Sequence, residues 1–134
     1  YDSLQPHYSL VHRTEYEREM AAICHKYGLG VIPYSPLAAG FLTGKYRKDS
    51  PLPESVRSVS AQKHMTVQNW DVLDKLESFG KTRGKSISQM SLGWLLTRHG
   101  ITAPIIGPRT IEQLNDNLGA AGLRLSAAEM EALE

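Results

Sequence analysis

The chain has 134 residues, of which 41% are hydrophobic and 22% are charged, a balance typical of one globular unit rather than a fibre or a disordered tail. Fifteen Lys plus Arg stand against 14 Asp plus Glu, and the net charge of +1 gives no field that would attract nucleic acid or an anionic membrane. The longest uncharged stretch, residues 27–44, contains four glycines and two prolines and is excluded as a membrane-spanning helix.

Cysteine usage and the start of the chain predict the cellular compartment. The lone cysteine, Cys24, cannot form an internal disulfide, and no basic segment followed by an apolar one opens the chain. We therefore expect a reducing, cytoplasmic location and no secretion. The first residue is Tyr1 rather than Met, so either the start has been processed or the sequence is a piece of a longer protein.

The first half of the chain is predicted to alternate between short strands and helices. A weak strand is expected over residues 3–5 and a second strand over 31–34. Between them, apolar residues recur at helical spacing from Glu15 and stop at Gly28, which predicts a helix with one buried stripe. The stripe comprises Tyr16, Met20, Ile23, Cys24 and Tyr27. Residues 45–63 are polar, contain two prolines and are predicted to form a long irregular loop.

The second half is predicted to be mainly helical. One helix should run from Val67 to Arg83 and another from Ile87 to about His99, with a strand over 103–106. The residues expected to face inward are Val72, Leu73, Leu76, Phe79, Met90, Trp94 and Leu95. Four Ser or Thr residues are each followed three positions later by Glu or Gln, a capping box that predicts a helix start: Thr14, Ser86, Thr110 and Ser126.

Short apolar strands that alternate with helices predict an α/β fold. Runs this apolar suit parallel strands that are buried on both faces and joined by right-handed crossovers. Three strands are few, because an open sheet usually has about four to six. Each of these strands is therefore expected to need further neighbouring strands.

The segment around Gly107 is the first candidate binding site. A strand that ends at Ile106 is followed by Gly107, Arg109 and a helix capped by Thr110. Free amide groups, the positive end of the helix dipole and a guanidinium would meet there, as a phosphate site requires. Gln113 and Asn117 share a helical face and could meet a base or ribose beside that phosphate. The alternative is a capped turn with a solvated arginine, which the spacing alone favours.

Two more candidates lie at strand ends. Tyr34 would offer a ring for stacking, with Ser35 as a hydrogen-bonding neighbour, although a core tyrosine before a proline turn is an equal alternative. The Gln5 amide could pair with another amide, although a surface glutamine is the simpler interpretation.

Other features predict no chemistry. The segment GLGVIP lacks the third glycine of a dinucleotide fingerprint. The five histidines are interpreted as scattered surface residues because they have no metal-ligand spacing, so no metal site is predicted. Cys24 lies on the buried stripe and is interpreted as a core residue.

Three segments in this order resemble the aldo-keto reductases across essentially the whole chain. The segments LQPHYSLVHR (4–13), GVIPYSPLAAGFLTGKYR (30–47) and PIIGPRTIEQLNDNLGA (104–120) are similar to that family's sixth, seventh and eighth strand regions. The resemblance implies a TIM barrel, here a partial one of about three parallel strands with flanking helices, that binds NADP(H) and reduces an aldehyde or ketone. Barrel enzymes commonly place a phosphate site after strands 7 and 8, where Gly107 to Thr110 would lie.

The resemblance also implies roles for individual residues. Gln5 would hold the nicotinamide carboxamide and Tyr34 would stack on the nicotinamide ring. Ser35, Pro36, Leu37, Ala38 and Gly40 would line the pyrophosphate passage, and Lys45 and Arg57 would close over the phosphates. Gly107, Arg109, Gln113, Asp116 and Asn117 would bind the adenosine end, with Arg109 on the 2′-phosphate, which favours NADP over NAD.

One departure from the family pattern is large. The Asp, Tyr, Lys and His that protonate the carbonyl in this family have no matching motif here, so no catalytic residue is assigned. The chain is interpreted as the carboxyl-terminal half of such an enzyme, whose partner would be the missing amino-terminal half of the barrel. Two alternatives stay open: a reductase-like regulatory subunit of a potassium channel, and an inactive gene remnant.

Overall fold

Two short parallel strands form the sheet of this protein, whose structure is a computed structural model that describes residues 1–134. Strand β1 (Ser3–Leu4) pairs with β2 (Gly30–Val31), with Ser3 opposite Gly30 and Leu4 opposite Val31. The pairing continues past the strands, because the Ile32 amide donates to the Leu4 carbonyl at 2.9 Å and the Tyr34 amide donates to the Pro6 carbonyl at 3.0 Å. Both strands therefore lie where the sequence predicts them.

The predicted third strand is only partly formed. The segment 101–105 lies parallel to β2, with a bridge between Val31 and Ile101 and amide donation from Thr102 to the Val31 carbonyl at 2.8 Å. Proline interrupts the ladder, since Pro104 has no amide to donate and Ile105 instead reaches the Pro33 carbonyl at 2.8 Å. The prediction of burial on both faces was wrong for this segment, because Ile105 is 40% exposed and its outer edge has no partner strand.

The first helix departs from the prediction at its start. It opens with a π-helical turn, Tyr16–Met20, and continues as α1 (Ala21–Tyr27), which ends at Gly28 in the left-handed conformation. The capping box at Thr14 does not form, because the Glu17 carboxylate accepts hydrogen bonds from Tyr8, Arg13 and Arg98 instead.

The π-helical turn also changes which face of this helix is buried. A π-helical turn takes more residues than an α-helical turn, so it rotates the residues after it away from their expected positions. Tyr16 and Cys24 are buried as predicted, whereas Ile23 is 53% exposed and Tyr27 is 66% exposed. The predicted stripe was therefore wrong at these two positions.

The later helices follow the capping signals closely. The helices α3 (Val67–Arg83) and α4 (Ile87–Thr97) have the predicted bounds to within two residues, and α5 (Ile111–Leu118) and α6 (Ala127–Leu133) complete the chain. Complete capping boxes form at Ser86 and Ser126. The loop predicted over 45–63 is wrong at its end, because a short helix, α2 (Ser58–Gln62), forms there and buries Ala61.

Trp94 is the largest buried side chain and marks the junction of the sheet and the helices. The Tyr8 ring centroid lies 5.5 Å from the Trp94 ring, and the guanidinium groups of Arg13 and Arg98 lie 5.4 Å from its centroid. Arg13 and Arg98 both bind Glu17, so the network connects the segment after β1, the first helix and α4. None of the helices has the length and apolar character needed to span a lipid bilayer.

Glu17→Gln should lower the free energy of unfolding by about 1–2 kcal/mol at pH 7, because it removes the charge that Tyr8, Arg13 and Arg98 share at a partly exposed site. Burial alone would raise the pKa of Glu17, but the hydrogen bonds from Arg13 and Tyr8 outweigh it and lower the pKa below its ordinary 4.5. The stabilisation is therefore present above pH 4.5 and is lost as the pH falls further. Urea denaturation at pH 7 and at lower pH measures both effects.

Glu19→Gln is the matched control, since Glu19 is exposed on the same π-helical turn and makes no side-chain hydrogen bond or ion pair. Equal midpoints for the two variants would contradict the central role of Glu17.

Candidate functional site

The carboxyl ends of the three parallel segments gather the predicted site residues at one edge. His7 and Tyr34 are bridged in parallel register, and the Ile105 amide binds the Pro33 carbonyl, so Tyr34 lies between the end of the β1 segment and the approach to Gly107. Gln5 directly follows β1. The Tyr34 side chain is 46% exposed, which leaves ring surface available to a ligand. The structure therefore brings together residues from the three predicted motifs.

The turn after Tyr34 holds an unusual backbone. Ser35, Ala38 and Ala39 have φ angles of 53°, 50° and 55°, in the left-handed region that residues other than glycine rarely adopt. Ala39 and Gly40 break the 3₁₀-helical segment Ala38–Thr43 into two short turns. Each such residue costs about 1 kcal/mol or more, and this kind of strain concentrates at ligand sites. The segment predicted to line the pyrophosphate passage is therefore the most strained part of the chain.

Two cationic side chains from the following loop lie against glycines of this edge. The Lys45 Cε atom is 2.9 Å from the position that a Cβ on Gly40 would take, and Arg57 Nη2 is 4.0 Å from the equivalent position on Gly107. Lys45 Nζ reaches the Ser55 hydroxyl at 3.4 Å, so the loop folds back on itself. Neither cation pairs with a carboxylate, in contrast with Arg47, which binds Glu77 at 3.1 Å. An anion is the complementary ligand for such a pair of free cations.

The start of α5 presents a third free cation. Thr110 caps the helix by accepting from the Gln113 amide at 3.1 Å, as predicted. The reciprocal hydrogen bond of the capping box does not form, because Gln113 Oε1 accepts from the Arg109 amide at 2.7 Å rather than from the Thr110 amide. This contact fixes the Arg109 backbone, while its exposed guanidinium makes no hydrogen bond or ion pair within the chain.

The two remaining candidates on α5 face the protein. Asp116 Oδ2 accepts from the Ser86 hydroxyl at 3.0 Å, and its carbonyl accepts from Gln89 Nε2 at 2.9 Å. Asn117 is buried, whereas Gln113, four residues earlier, is exposed. The contacts of Asp116 anchor α5 to the start of α4, so they position the helix that begins directly after Arg109 and Thr110.

The sequence interpretation missed a histidine cluster at this edge. His7, His12 and His64 are half-buried rather than scattered on the surface, and the ring of His7 stacks on Tyr34 with centroids 5.0 Å apart. Burial lowers the pKa of His7, and the charges that His12 and His64 would carry lower it further. Nothing in the local sequence spacing signals this cluster, because β1 and the helix region that carries His64 are far apart in the chain. Nowhere do three or more metal-ligating side chains converge in a way that could hold a metal ion.

A cavity of about 790 Å³ lies elsewhere. Its lining includes Gly28, Gly30 and Gly100, so it opens at the amino-terminal ends of β2 and the third segment. Ligands of parallel α/β folds bind at the carboxyl ends of the strands, so we place the candidate site at the opposite edge on chemistry rather than on volume.

Comparison with known proteins identifies the family of this chain. The model of the Aldo/keto reductase family matches residues 1–134. The chain belongs to the aldo/keto reductase family.

Individual relatives extend the comparison. This aldo/keto reductase chain is 35% identical over 132 residues to the chloroplastic pyridoxal reductase of Arabidopsis thaliana, covering 98% of this chain and 35% of the relative. It is 35% identical over 137 residues to an aldo-keto reductase of Fusarium vanettenii, covering 98% and 35%. It is 33% identical over 138 residues to the L-glyceraldehyde 3-phosphate reductase of Escherichia coli, covering 97% and 40%. The chain thus spans little more than a third of the length of these curated relatives.

A solved structure supports the fold. The glycerol dehydrogenase of Gluconobacter oxydans superposes with a TM-score of 0.81 at 27% identity, covering 98% of this chain and 40% of that one. The predicted fold class is confirmed: the chain is α/β and forms part of a TIM barrel.

Two glycines of the site should respond differently to alanine. Gly107→Ala should change the free energy of unfolding by less than about 0.5 kcal/mol, because its φ is not in the left-handed region and the nearest atom, Arg57 Nη2, is 4.0 Å away. Gly40→Ala should cost about 1 kcal/mol or more, because φ is +93° and the new Cβ would displace Lys45. Thermal unfolding of both variants checks the contrast, and equal losses would contradict this description of the turn.

Proposed function

We propose that this chain forms the cofactor-binding, carboxyl-terminal part of an NADP(H)-dependent carbonyl reductase. One observation carries the proposal: three cations without carboxylate partners lie along the edge where Tyr34 is found. They are Lys45, Arg57 and Arg109. A dinucleotide with a 2′-phosphate carries negative charge at its pyrophosphate and at its adenosine end, which matches cations spread along an edge better than a single point charge would.

The proposed roles follow the order of residues along this edge. Gln5 holds the carboxamide and Tyr34 stacks on the nicotinamide, while the backbone of the turn after Tyr34 follows the pyrophosphate. The residues of that turn are Ser35, Pro36, Leu37, Ala38 and Gly40. Lys45 and Arg57 close over the phosphates, since both come from one loop and already lie against the glycines of the passage.

The adenosine end belongs to α5 and the residues before it. Gly107 leaves open space for close approach, and Arg109 binds the 2′-phosphate with a guanidinium that no other group of the chain occupies. Gln113 is held by the Arg109 amide through its oxygen, which leaves its Nε2 group free to donate. Asp116 and Asn117 are assigned to the same end, where Asp116 keeps Oδ1 free while Oδ2 binds Ser86.

The chemistry divides between the cofactor and the protein. When bound, NADPH supplies the hydride that reduces an aldehyde or ketone carbon. The residues of this chain hold and orient the dinucleotide, and a proton donor outside these 134 residues completes the reaction, because no motif here matches the family's Asp, Tyr, Lys and His set. The names of two relatives support this substrate class, since pyridoxal and L-glyceraldehyde 3-phosphate are both aldehydes.

Arg109→Ala should raise the dissociation constant for NADPH about 10- to 100-fold and leave that for NADH nearly unchanged, because a charge-assisted contact to the 2′-phosphate contributes about 1.5–3 kcal/mol. Fluorescence titration of both nucleotides measures the ratio. Lys48→Ala is the matched control, since Lys48 is an exposed cation of the loop that precedes α2 and makes no side-chain hydrogen bond or ion pair. An equal loss for NADPH and NADH would contradict the assignment of Arg109.

The chain alone should not turn over. Consumption of NADPH, followed by absorbance with a panel of aldehydes, should stay at the rate without protein, because no acid of the family pattern is present to protonate the carbonyl oxygen. Measurable turnover would show that a residue of this chain supplies the proton.

A further inference from the structure

Three aromatic rings form a column that ends at Tyr34. The rings of His12 and His7 are stacked with centroids 3.8 Å apart and planes at 17°, and the rings of His7 and Tyr34 are stacked at 5.0 Å and 17°. The parallel bridge between His7 and Tyr34 explains this alignment, because neighbouring residues of paired strands project side by side. Tyr34 is the exposed end of the column, so its ring orientation depends on the two imidazoles behind it.

The surroundings of the column favour a neutral His7 ring. Nε2 of His7 and Nε2 of His12 are buried and have no hydrogen-bond partner, and the nearest carboxylate oxygen to His12 Nε2 is that of Glu15, at 3.7 Å. His64 adds a third imidazole, and burial, His12 and Lys63 lower its pKa. Only Glu15 raises the pKa of His7, so protonation of His7 would place a positive charge beside two other imidazoles with one nearby anion.

We propose that His7, supported by His12, is a positioning residue that fixes the Tyr34 ring for a planar ligand ring, and that it does so only while its own imidazole is neutral. The identity of the ligand ring as nicotinamide rests on the proposed function. Stacking of neutral rings is favourable, whereas a charged His7 ring would have its Nε2 buried without a hydrogen-bond partner, so acid separates the column and frees Tyr34.

The direction of the pH effect follows from the lowered pKa. The neutral His7 ring is fully present above the ordinary histidine value of 6.5 and is lost as the pH falls through the lower pKa of His7 in the folded chain. The groups that face His7 are His12, His64 and Glu15, and the net effect of the three is to disfavour the charged form.

Proton NMR of the chain without ligand tests the contact directly. The Tyr34 ring resonances should shift as the pH is lowered from 7.5 to 5.5 and should follow the titration of the His7 ring. His7→Ala should abolish this titration, and His7→Phe should keep the stacked resonance positions but remove the pH dependence. His99→Ala is the control, since His99 is exposed and pairs with His25 rather than with this column. Tyr34 resonances that titrate unchanged in His7→Ala would overturn the proposal.

Titration with NADP⁺ at the two pH values tests the consequence for binding. Affinity of the unmodified chain should fall about 3- to 10-fold more between pH 7.5 and pH 5.5 than that of His7→Phe, which corresponds to the loss of one aromatic pair. The 2′-phosphate of the ligand titrates in the same range but does so equally against both proteins. Equal pH dependence in both would overturn the role of His7 in binding.

The NMR titration and the NADP⁺ titration test the two proposals separately. No binding of NADP⁺ to the unmodified chain at pH 7.5 would count against the proposed function, while the NMR titration would still decide whether His7 positions Tyr34. Circular dichroism of each variant establishes that a lost signal reflects the ring contact rather than unfolding.

Discussion

The parallel register of β2 with its two neighbours is the constraint on which the rest of the structure depends. Two backbone hydrogen bonds, from Ile32 to Leu4 and from Tyr34 to Pro6, align the first motif with the second, and the amide of Ile105 aligns the third. A shift of one residue would reverse which side chains face the edge, because side chains alternate along a strand. The strand ends carry Tyr34 and Gly107, so the register positions the site before any side-chain contact does.

The strands are too short to hold this register by themselves. The crossover from β1 to β2 is held by the Glu17 carboxylate, which accepts hydrogen bonds from Tyr8, Arg13 and Arg98 beside Trp94. The network is partly buried, so its hydrogen bonds are stronger than those of surface ion pairs, and it joins segments that are 81 residues apart. The π-helical turn that carries Glu17 is part of the same arrangement, and it explains why the buried stripe of this helix differs from an ideal one.

At the edge formed by the carboxyl ends of the parallel segments, features suited to binding reduce the stability of the chain. Left-handed conformations at Ser35, Ala38 and Ala39 cost free energy in the absence of a ligand. The core beneath them, with Phe41, Leu42 and Trp94 fully buried, offsets this cost. In the proposed function, this edge is prepared for an anion before the anion arrives.

The sequence by itself determined the fold class, the two strands, the bounds of α3 and α4 and the starts of α5 and α6, because glycine, proline and capping residues act over a few neighbours and leave a local pattern. It also singled out the residues of the candidate site, although their ligand remains a proposal. Only the tertiary structure decided what Glu17 binds, how Pro104 interrupts the third segment and where His7, His12 and His64 meet. These outcomes depend on partners that are far away in the sequence. The local spacing does not show whether Glu17 completes a capping box or binds a distant arginine. Only the long-range contacts of the folded chain determine which of these contacts forms.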